Sequence, residues 1–215
     1  KINRGLRTNV ARHDYTLGEL ENKSIIKALV AKEAKRYFSS GVYVTNTIIG
    51  PVMAVIFAVS LFFVDMNEAL GGLPINIDLN GIIPVLFAGI LGMNSPIATS
   101  VSMEGKEFWI IRTLPVPWKE VLKSKLLFSI MLLLPFYVVG EVVMVIALKP
   151  SIEKLVWMII LPATIIICIL VVGLAVNLKF PKLKWDSDVE VVKQSASAVI
   201  GGLGGVLIAL VAAIP

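Results

Sequence analysis

The sequence is poor in histidine and cysteine, the side chains that bind most zinc ions and form all disulfides. It has one residue of each type among 215. Cys168 lies in an apolar run and has no second cysteine with which to form an internal disulfide. His13 has no other histidine or cysteine near it in sequence, so no metal-ligand spacing is present. We therefore expect no metal site.

The chain also has few charged residues. They make up 16% of the sequence, against about 25% in soluble proteins, while 57% is hydrophobic, against about 45–50%. The apolar residues fall into long blocks and the charges lie between them, as expected when the solvent is a bilayer. The composition therefore excludes an ordinary water-soluble domain.

A phosphate-binding loop of the Gly-x-x-x-x-Gly-Lys-Ser/Thr type does not occur in these residues. The glycine-rich run Gly201–Gly205 lies in an apolar segment, and no lysine follows it. Gly201 and Gly205 are one helical turn apart, a spacing that permits close contact between membrane helices. We therefore predict that these two glycines pack against another helix.

Five apolar segments are long enough to cross a bilayer core of about 30 Å, which takes roughly 20 helical residues. The fold class predicted is an all-α membrane protein, a bundle of about five visible transmembrane helices. The predicted spans are approximately residues 42–64, 82–101, 126–148, 155–178 and 196–214.

Glu141, in the third segment, is the one charged residue within these five spans. Carboxylates are costly inside a membrane and need a reason to be there. One interpretation is that Glu141 reaches the outer surface or bonds a neighbouring helix. The other is that it lines a translocation path.

Basic residues are distributed unevenly between the intervals that separate the spans. If the first span runs outward, 18 of the 20 lysines and arginines lie on the cytoplasmic side, and Lys149 and Lys154 lie outside. Because positive charge is enriched in cytoplasmic loops, we place the amino end in the cytoplasm. The predicted location is the plasma membrane, which the chain crosses several times.

The residues before the first span divide into two parts. Residues 1–22 are polar and are typical of a cytoplasmic linker, whereas residues 23–40 have apolar and basic side chains at helical spacing. This pattern predicts an amphipathic helix in the cytoplasmic membrane surface, with a basic face suited to anionic lipid. The remaining residues, 41–215, form the predicted transmembrane domain.

The interval 102–125 differs from a simple connecting loop because it contains both charged and aromatic residues. Charged residues alternate with Phe108, Trp109 and Leu114 before Pro115. A simple interpretation is an interfacial helix with one face on lipid or helix ends and a charged face toward the cytosol.

The run from Glu104 to Val116 resembles the cytoplasmic loop between the second and third helices of type-2 ABC transporter permeases. In that family a short helix containing Glu and Gly, followed by a Leu-x-Thr/Ser-x-Pro-like stretch, docks on the ATPase subunit. Residues 31–46 resemble the connecting helix of the same family. Residues 180–195 resemble the fourth-to-fifth loop of a bacterial subgroup of ABC exporters.

The resemblance implies a membrane permease subunit, or half of one, in the bacterial inner membrane. It would pair with a second permease half or another copy, and with cytoplasmic ATPase subunits that bind ATP and Mg. The chain would itself bind no cofactor, catalyse no reaction and bind no nucleic acid, and membrane lipids would surround it. The coupling residues implied are Glu104, Gly105, Glu107, Phe108, Trp109, Arg112, Leu114 and Pro115. Because the family usually has six spans, we expect the sixth beyond Pro215 and an earlier half before Lys1.

Two other classes remain as alternatives. Several acidic residues within the spans would favour an ion-coupled secondary carrier, and they are missing from the sequence. An intramembrane enzyme such as a protease would need paired polar catalytic residues within the spans, and Glu141 has no histidine or metal-ligand partner there. Glu141 is the one candidate for either role. The transported substrate cannot be derived from these apolar helix faces.

Overall fold

The structure is a computed structural model that describes residues 24–64 and 79–193. Within these ranges the chain is helical and contains no strand, which confirms the predicted all-α class for the described part. The helices are α1 (Ile25–Ser39), α2 (Gly41–Ser60), α3 (Leu79–Gly92), α4 (Phe108–Thr113), α5 (Trp118–Leu148), α6 (Ile152–Lys179) and α7 (Asp188–Val192), with 3-10 turns at Pro96–Ala98 and Ser102–Glu107.

Three of the described helices, α2, α5 and α6, are long and apolar enough to cross a membrane. They correspond to the first, third and fourth predicted spans, and they indicate a membrane protein. With 31 residues, α5 is about 46 Å long and exceeds the bilayer core. The fifth predicted span, 196–214, lies outside the described residues, as do Gly201 and Gly205.

The second predicted span differs from expectation because its helix does not continue to Val101. Helix α3 ends at Gly92, is followed by Asn94 with a φ of 55°, and the chain then forms the turn Pro96–Ala98. Pro96 has no backbone N–H to donate, and it disfavours a helical conformation at Ser95. The 14 residues of α3 reach about 21 Å, so the helix alone is shorter than the bilayer core.

Helix α3 lies at the centre of the bundle, against α2, α5 and α6. Ile83, Phe87 and Leu91 are fully buried on it. Its carboxyl end approaches α2 so closely that a Cβ on Gly50 would lie 2.9 Å from the Ile90 carbonyl oxygen. A glycine is therefore required at this crossing.

The intervals predicted to be cytoplasmic meet at one end of the bundle. Helix α1 packs on the first turns of α5, and α7 packs on the start of α2. The chain between α5 and α6 lies at the other end, where Lys149 adopts the left-handed conformation that terminates α5. The side of the membrane that each end faces, and the position of α1 in the membrane surface, stay predictions.

Candidate functional site

A group of charges with a buried centre joins α1, the turn Ser102–Glu107 and α5. We call it the ionic junction; its members are Lys32, Glu33, Arg36, Glu104 and Lys125. At its centre, the Lys125 ammonium lies 2.9 Å from Glu33 Oε1 and 2.7 Å from Glu104 Oε1. Lys125 also donates to the Ser100 carbonyl at 3.0 Å, so its three donors are all used within the protein.

Two more cations on α1 complete the ionic junction. Lys32 Nζ lies 2.9 Å from Glu104 Oε1, and the Arg36 guanidinium binds Glu104 Oε2. Lys32 and Arg36 are four residues apart, which places them on one face of the helix. Three cations therefore surround two carboxylates, and α1 is attached to the turn that follows α3.

The charges around Glu104 determine its protonation state. Burial by itself would raise the pKa of Glu104, but the Lys125 ammonium and the Arg36 guanidinium outweigh burial and lower this pKa to about 2. Burial would likewise lower the pKa of Arg36, and the bonded Glu104 carboxylate raises it instead. Both groups are therefore ionised near neutral pH.

A second attachment joins the same turn to the end of α6. The fully buried Asn177 accepts from the backbone N–H groups of Val101 and Ser102 at 2.7 Å and 3.2 Å. Its amide donates to Ser102 Oγ at 2.7 Å. Beyond α6, Trp185 Nε1 donates to the Ser102 carbonyl at 3.0 Å. The turn is thus held by α6 as well as by α1 and α5.

Gly105 allows this turn to fit beneath Trp185. Its φ is +54°, a left-handed value that favours glycine, and a Cβ at this position would lie 2.9 Å from Trp185 Cζ2. The residue therefore satisfies two requirements, one of backbone conformation and one of space.

Helix α4, directly after the turn, presents an apolar surface to the outside. Ile111 is buried against Leu29 and Val121, so the opposite side of the helix is exposed. We call that side the α4 surface; its members are Trp109, Ile110, Arg112 and Leu114, and Trp109 is 63% exposed. Exposed apolar groups beside a charged one, at the end of a bundle, are typical of a contact surface.

Phe108 lies between the buried and exposed sides of α4. Its ring packs edge-on against Trp118, with centroids 5.9 Å apart. The Arg112 guanidinium carbon lies 6.0 Å from the Phe108 ring centroid. Phe108 therefore holds α4 against the start of α5.

The residues predicted for the loop separate into two groups. Glu104 and Gly105 are buried, whereas Glu107, Trp109, Arg112, Leu114 and Pro115 are exposed. Glu104 was expected on a charged face directed at the cytosol. The structure corrects this, because its carboxylate is enclosed by Lys125, Lys32 and Arg36.

Sequence reasoning missed Lys32, Glu33, Arg36, Lys125, Asn177 and Trp185 as site residues. For two of them a signal was present. Glu33 is the one acid on α1 and lies one turn from both Leu29 and Tyr37, which are buried. Lys125 is likewise one turn from the buried Val121. A charge on an apolar helix face predicts a buried partner.

Glu141 occupies a different position, on the far part of α5. The residue is buried, and neither carboxylate oxygen has a hydrogen-bond partner within the described ranges. One turn earlier, the Tyr137 hydroxyl donates to the Ile159 carbonyl at 2.6 Å. Glu141 makes no hydrogen bond to another described helix, and both interpretations, a bond to a neighbouring helix or a place on a translocation path, stay predictions.

Comparison with known proteins adds one finding. A family model described as "Putative ATP-binding cassette" matches residues 9–214, nearly the whole chain. No curated protein and no solved structure matches it.

Proposed function

Because the chain belongs to the family described as "Putative ATP-binding cassette", we propose that it is the membrane-spanning permease component of an ATP-driven exporter. The chain relates to an ABC system but lacks a phosphate-binding loop motif in its 215 residues. Three of its helices can cross a membrane. ATP and Mg would accordingly bind a partner ATPase, and this chain would carry out no hydrolysis.

The observation that carries the proposal is the attachment of an exposed apolar surface to the spanning helices. The α4 surface follows directly after the turn Ser102–Glu107. That turn is joined to α5 by Glu104 and Lys125, and to α6 by Ser102 and Asn177. A partner that pushes on α4 would therefore move both spanning helices.

The mechanism is mechanical rather than chemical. Closure of the ATPase subunits on ATP would displace α4, and the ionic junction would transmit the displacement to α1 and α5. The buried hydrogen bonds of Asn177 would transmit it to α6. A second permease half, or another copy of this chain, would form the other wall of the path.

Co-purification tests this function directly. The tagged chain would be expressed in its native host, and the detergent-solubilised complex would be isolated through the tag and assayed for a bound ATPase subunit. We expect the ATPase to be retained by the wild type and lost from Trp109→Asp/Leu114→Asp, because charges replace two exposed apolar contacts. Lys106→Ala on the same loop is the matched control and should retain the ATPase. Binding of the ATPase that survives the double substitution would contradict the proposed contact.

An ion-coupled secondary carrier is the second candidate, and Glu141 favours it. A buried carboxylate without a described partner is a common component of proton pathways. Transport by proteoliposomes under an imposed proton gradient, without ATP or any ATPase, would support this candidate over the exporter.

A further inference from the structure

The chain that follows α6 contacts the turn Ser102–Glu107. Residues 181–192, which we call the strap, run from the end of α6 through α7. The backbone N–H of Lys182 donates to Ser102 Oγ at 3.0 Å, and Trp185 Nε1 donates to the Ser102 carbonyl at 3.0 Å. Ser102 itself is fully buried. The first half of the strap is therefore fixed to the turn that leads into α4.

The second half of the strap contacts the corner where α1 meets α2. Ser40 Oγ donates to Asp188 Oδ2 at 2.5 Å, within the short range that is typical of hydrogen bonds from hydroxyls to carboxylates. Val191 and Val192, in the same half, are buried. They share an apolar cluster with residues of α1, α2, the turn and α5, namely Tyr37, Tyr43, Met103 and Phe128. The strap thus connects the turn with the α1–α2 corner.

Ser40 is the residue at which the angle between α1 and α2 can change. It alone separates α1, which ends at Ser39, from α2, which begins at Gly41, and its backbone is extended, with φ −110° and ψ 104°. Changes of domain or helix orientation are absorbed by a few such residues at the ends of elements. The bond from Ser40 to Asp188 therefore fixes the corner at the position where it can bend.

Two further hydrogen bonds hold this end of α2, and both join uncharged groups. The hydroxyl oxygens of Tyr37 and Thr47 lie 2.8 Å apart, and the Tyr43 hydroxyl donates to the Pro96 carbonyl at 2.5 Å. A hydrogen bond to a charged group contributes roughly twice as much as a neutral one. The ionic junction attaches the turn to α1 and α5, and Asn177 attaches it to α6. The strap supplies a charge-assisted attachment for α2.

We propose that the strap is a further coupling element, in which Trp185 and Asp188 are positioning residues that make α2 follow the displacement of α4. This inference rests on the proposed export function and adds α2 to the helices that the ATPase moves. Trp185 fixes the strap to the turn, and Asp188 fixes it to Ser40. When the turn is displaced, the angle between α1 and α2 stays constant, and α2 moves with α1.

The distance between α2 and α4 in the purified full chain tests this connection. Spin labels would be attached to Thr45→Cys on α2 and Thr113→Cys on α4, two exposed positions, in a Cys168→Ser background, and the distance measured by double electron–electron resonance. We expect one distance when the strap is intact. Asp188→Ala should add a second distance and raise its share about tenfold, the factor that corresponds to loss of one hydrogen bond to a charged group. A single, unchanged distance in Asp188→Ala would overturn the proposal.

Variants of the same strap separate the Ser40 bond from general damage. Asp186→Ala is the matched control, because the Asp186 side chain is 92% exposed and pairs with the exposed Lys106, so the distance should stay single. Asp188→Glu keeps the carboxylate and should retain most of the original distance. Adding Ser40→Ala to Asp188→Ala should change nothing beyond the larger single effect, since the two residues act through one bond. Equal effects of Asp186→Ala and Asp188→Ala, or additive effects at Ser40 and Asp188, would overturn the role of this bond.

The other end of the strap provides a second variant. Trp185→Phe keeps an aromatic ring over Gly105 and removes the donor to the Ser102 carbonyl. It should add a second distance as Asp188→Ala does, and it decides the outcome if Asp188→Ala does not fold. An unchanged distance in folded Trp185→Phe would remove Trp185 from the positioning residues.

Nucleotide distinguishes a coupling role from a purely structural one. In the complex with its ATPase, a non-hydrolysable ATP analogue should leave the distance of the intact strap unchanged, because α2 follows α4. In Asp188→Ala the analogue should increase the share of the second distance, and no response in this variant would overturn the coupling role. Failure of the export function has another signature: no ATPase attaches to the chain, while the second distance of Asp188→Ala in the isolated chain still supports the mechanical connection.

Discussion

Lys125 Nζ lies 2.7 Å from Glu104 Oε1, and both side chains are only 1% exposed. One residue belongs to a spanning helix and the other to the turn before α4. The pair therefore joins the turn that precedes the α4 surface directly to a spanning helix.

Removal of the Lys125 charge should destabilise the protein strongly. Lys125→Met leaves Glu33 and Glu104 buried without their central cation, and loss of one partner from a buried pair typically costs about 3–5 kcal/mol in the free energy of unfolding. Lys123→Met is the matched control. Lys123 is 60% exposed and pairs only with Glu120 among the described acids, so its substitution should change stability by less than about 1 kcal/mol. Denaturant unfolding in detergent would measure both, and equal losses would show that the junction contributes little.

Stability should decrease in acid, and Glu104 should account for part of the decrease. The pKa of Glu104 is about 2 in the folded protein, against an ordinary value of 4.5. Because the folded-state pKa is the lower of the two, the stabilisation is complete above about pH 5 and is lost as the pH falls toward 2. Glu104→Gln should reduce the change of melting temperature with pH between pH 5 and pH 2. Glu107→Gln, on the exposed side of the loop, is the control and should leave the dependence of melting temperature on pH unchanged. If Glu104→Gln shows the same dependence as the wild type, Glu104 does not account for the loss of stability in acid.

A methyl group at position 105 should disturb the turn. Gly105→Ala places a Cβ in contact with the Trp185 ring and imposes a left-handed φ on alanine, which costs about 1–3 kcal/mol. Gly41→Ala is the control, since a Cβ there meets nothing within 4 Å and alanine favours a helix. Trp fluorescence and thermal unfolding would follow both variants. Unchanged unfolding in Gly105→Ala would mean that Trp185 can move aside freely.

Aromatic residues of α4 should matter more for coupling than the charge next to them. Trp109→Ala removes the largest exposed group of the α4 surface, and loss of such an anchor often costs about 2 kcal/mol or more in binding. Lys106→Ala should cost much less, because Lys106 is 74% exposed and its partner Asp186 more so. Phe108→Ala should lower both coupling and stability, since its ring contacts Trp118. The measurement is the ratio of transport to ATP hydrolysis in proteoliposomes. Normal coupling in Trp109→Ala, with the ATPase bound, would move the contact elsewhere, first to residues 116–125.

The orientation can be tested at two exposed residues on opposite ends of the bundle. In a Cys168→Ser background, an impermeant thiol reagent applied to intact cells should label Ser151→Cys and not Lys184→Cys. Ser151 begins α6 on the predicted outer side, and Lys184 follows α6 on the basic side. The reverse pattern of labelling would invert the topology.

The helical class and the position of three long apolar helices follow from composition alone. Runs of about 20 apolar residues can satisfy their backbone hydrogen bonds in lipid only as helices, so α2, α5 and α6 were predictable from residue type and length. The loop 102–125 was also identified from its mixture of charges and aromatics. The end of α3 at Gly92 was not predicted. The apolar run continues to Val101, so its length indicated a longer helix than the one that ends before Pro96.

Tertiary structure decided which charged residues of that loop are exposed and which are buried. Glu104 and Glu107 are both carboxylates three residues apart, and their identity does not indicate that one pairs with Lys125 while the other remains in solvent. The partners come from α1 and α5, which are distant in sequence, and the value of a buried charge depends on those partners. Residue type and spacing determined a helical membrane protein with a distinctive loop after α3. The packing of α1, α5 and α6 around that loop decided that residues 102–105 are internal and that most of residues 106–115 are exposed, because only the assembled helices supply the charges and the enclosure that bury Glu104.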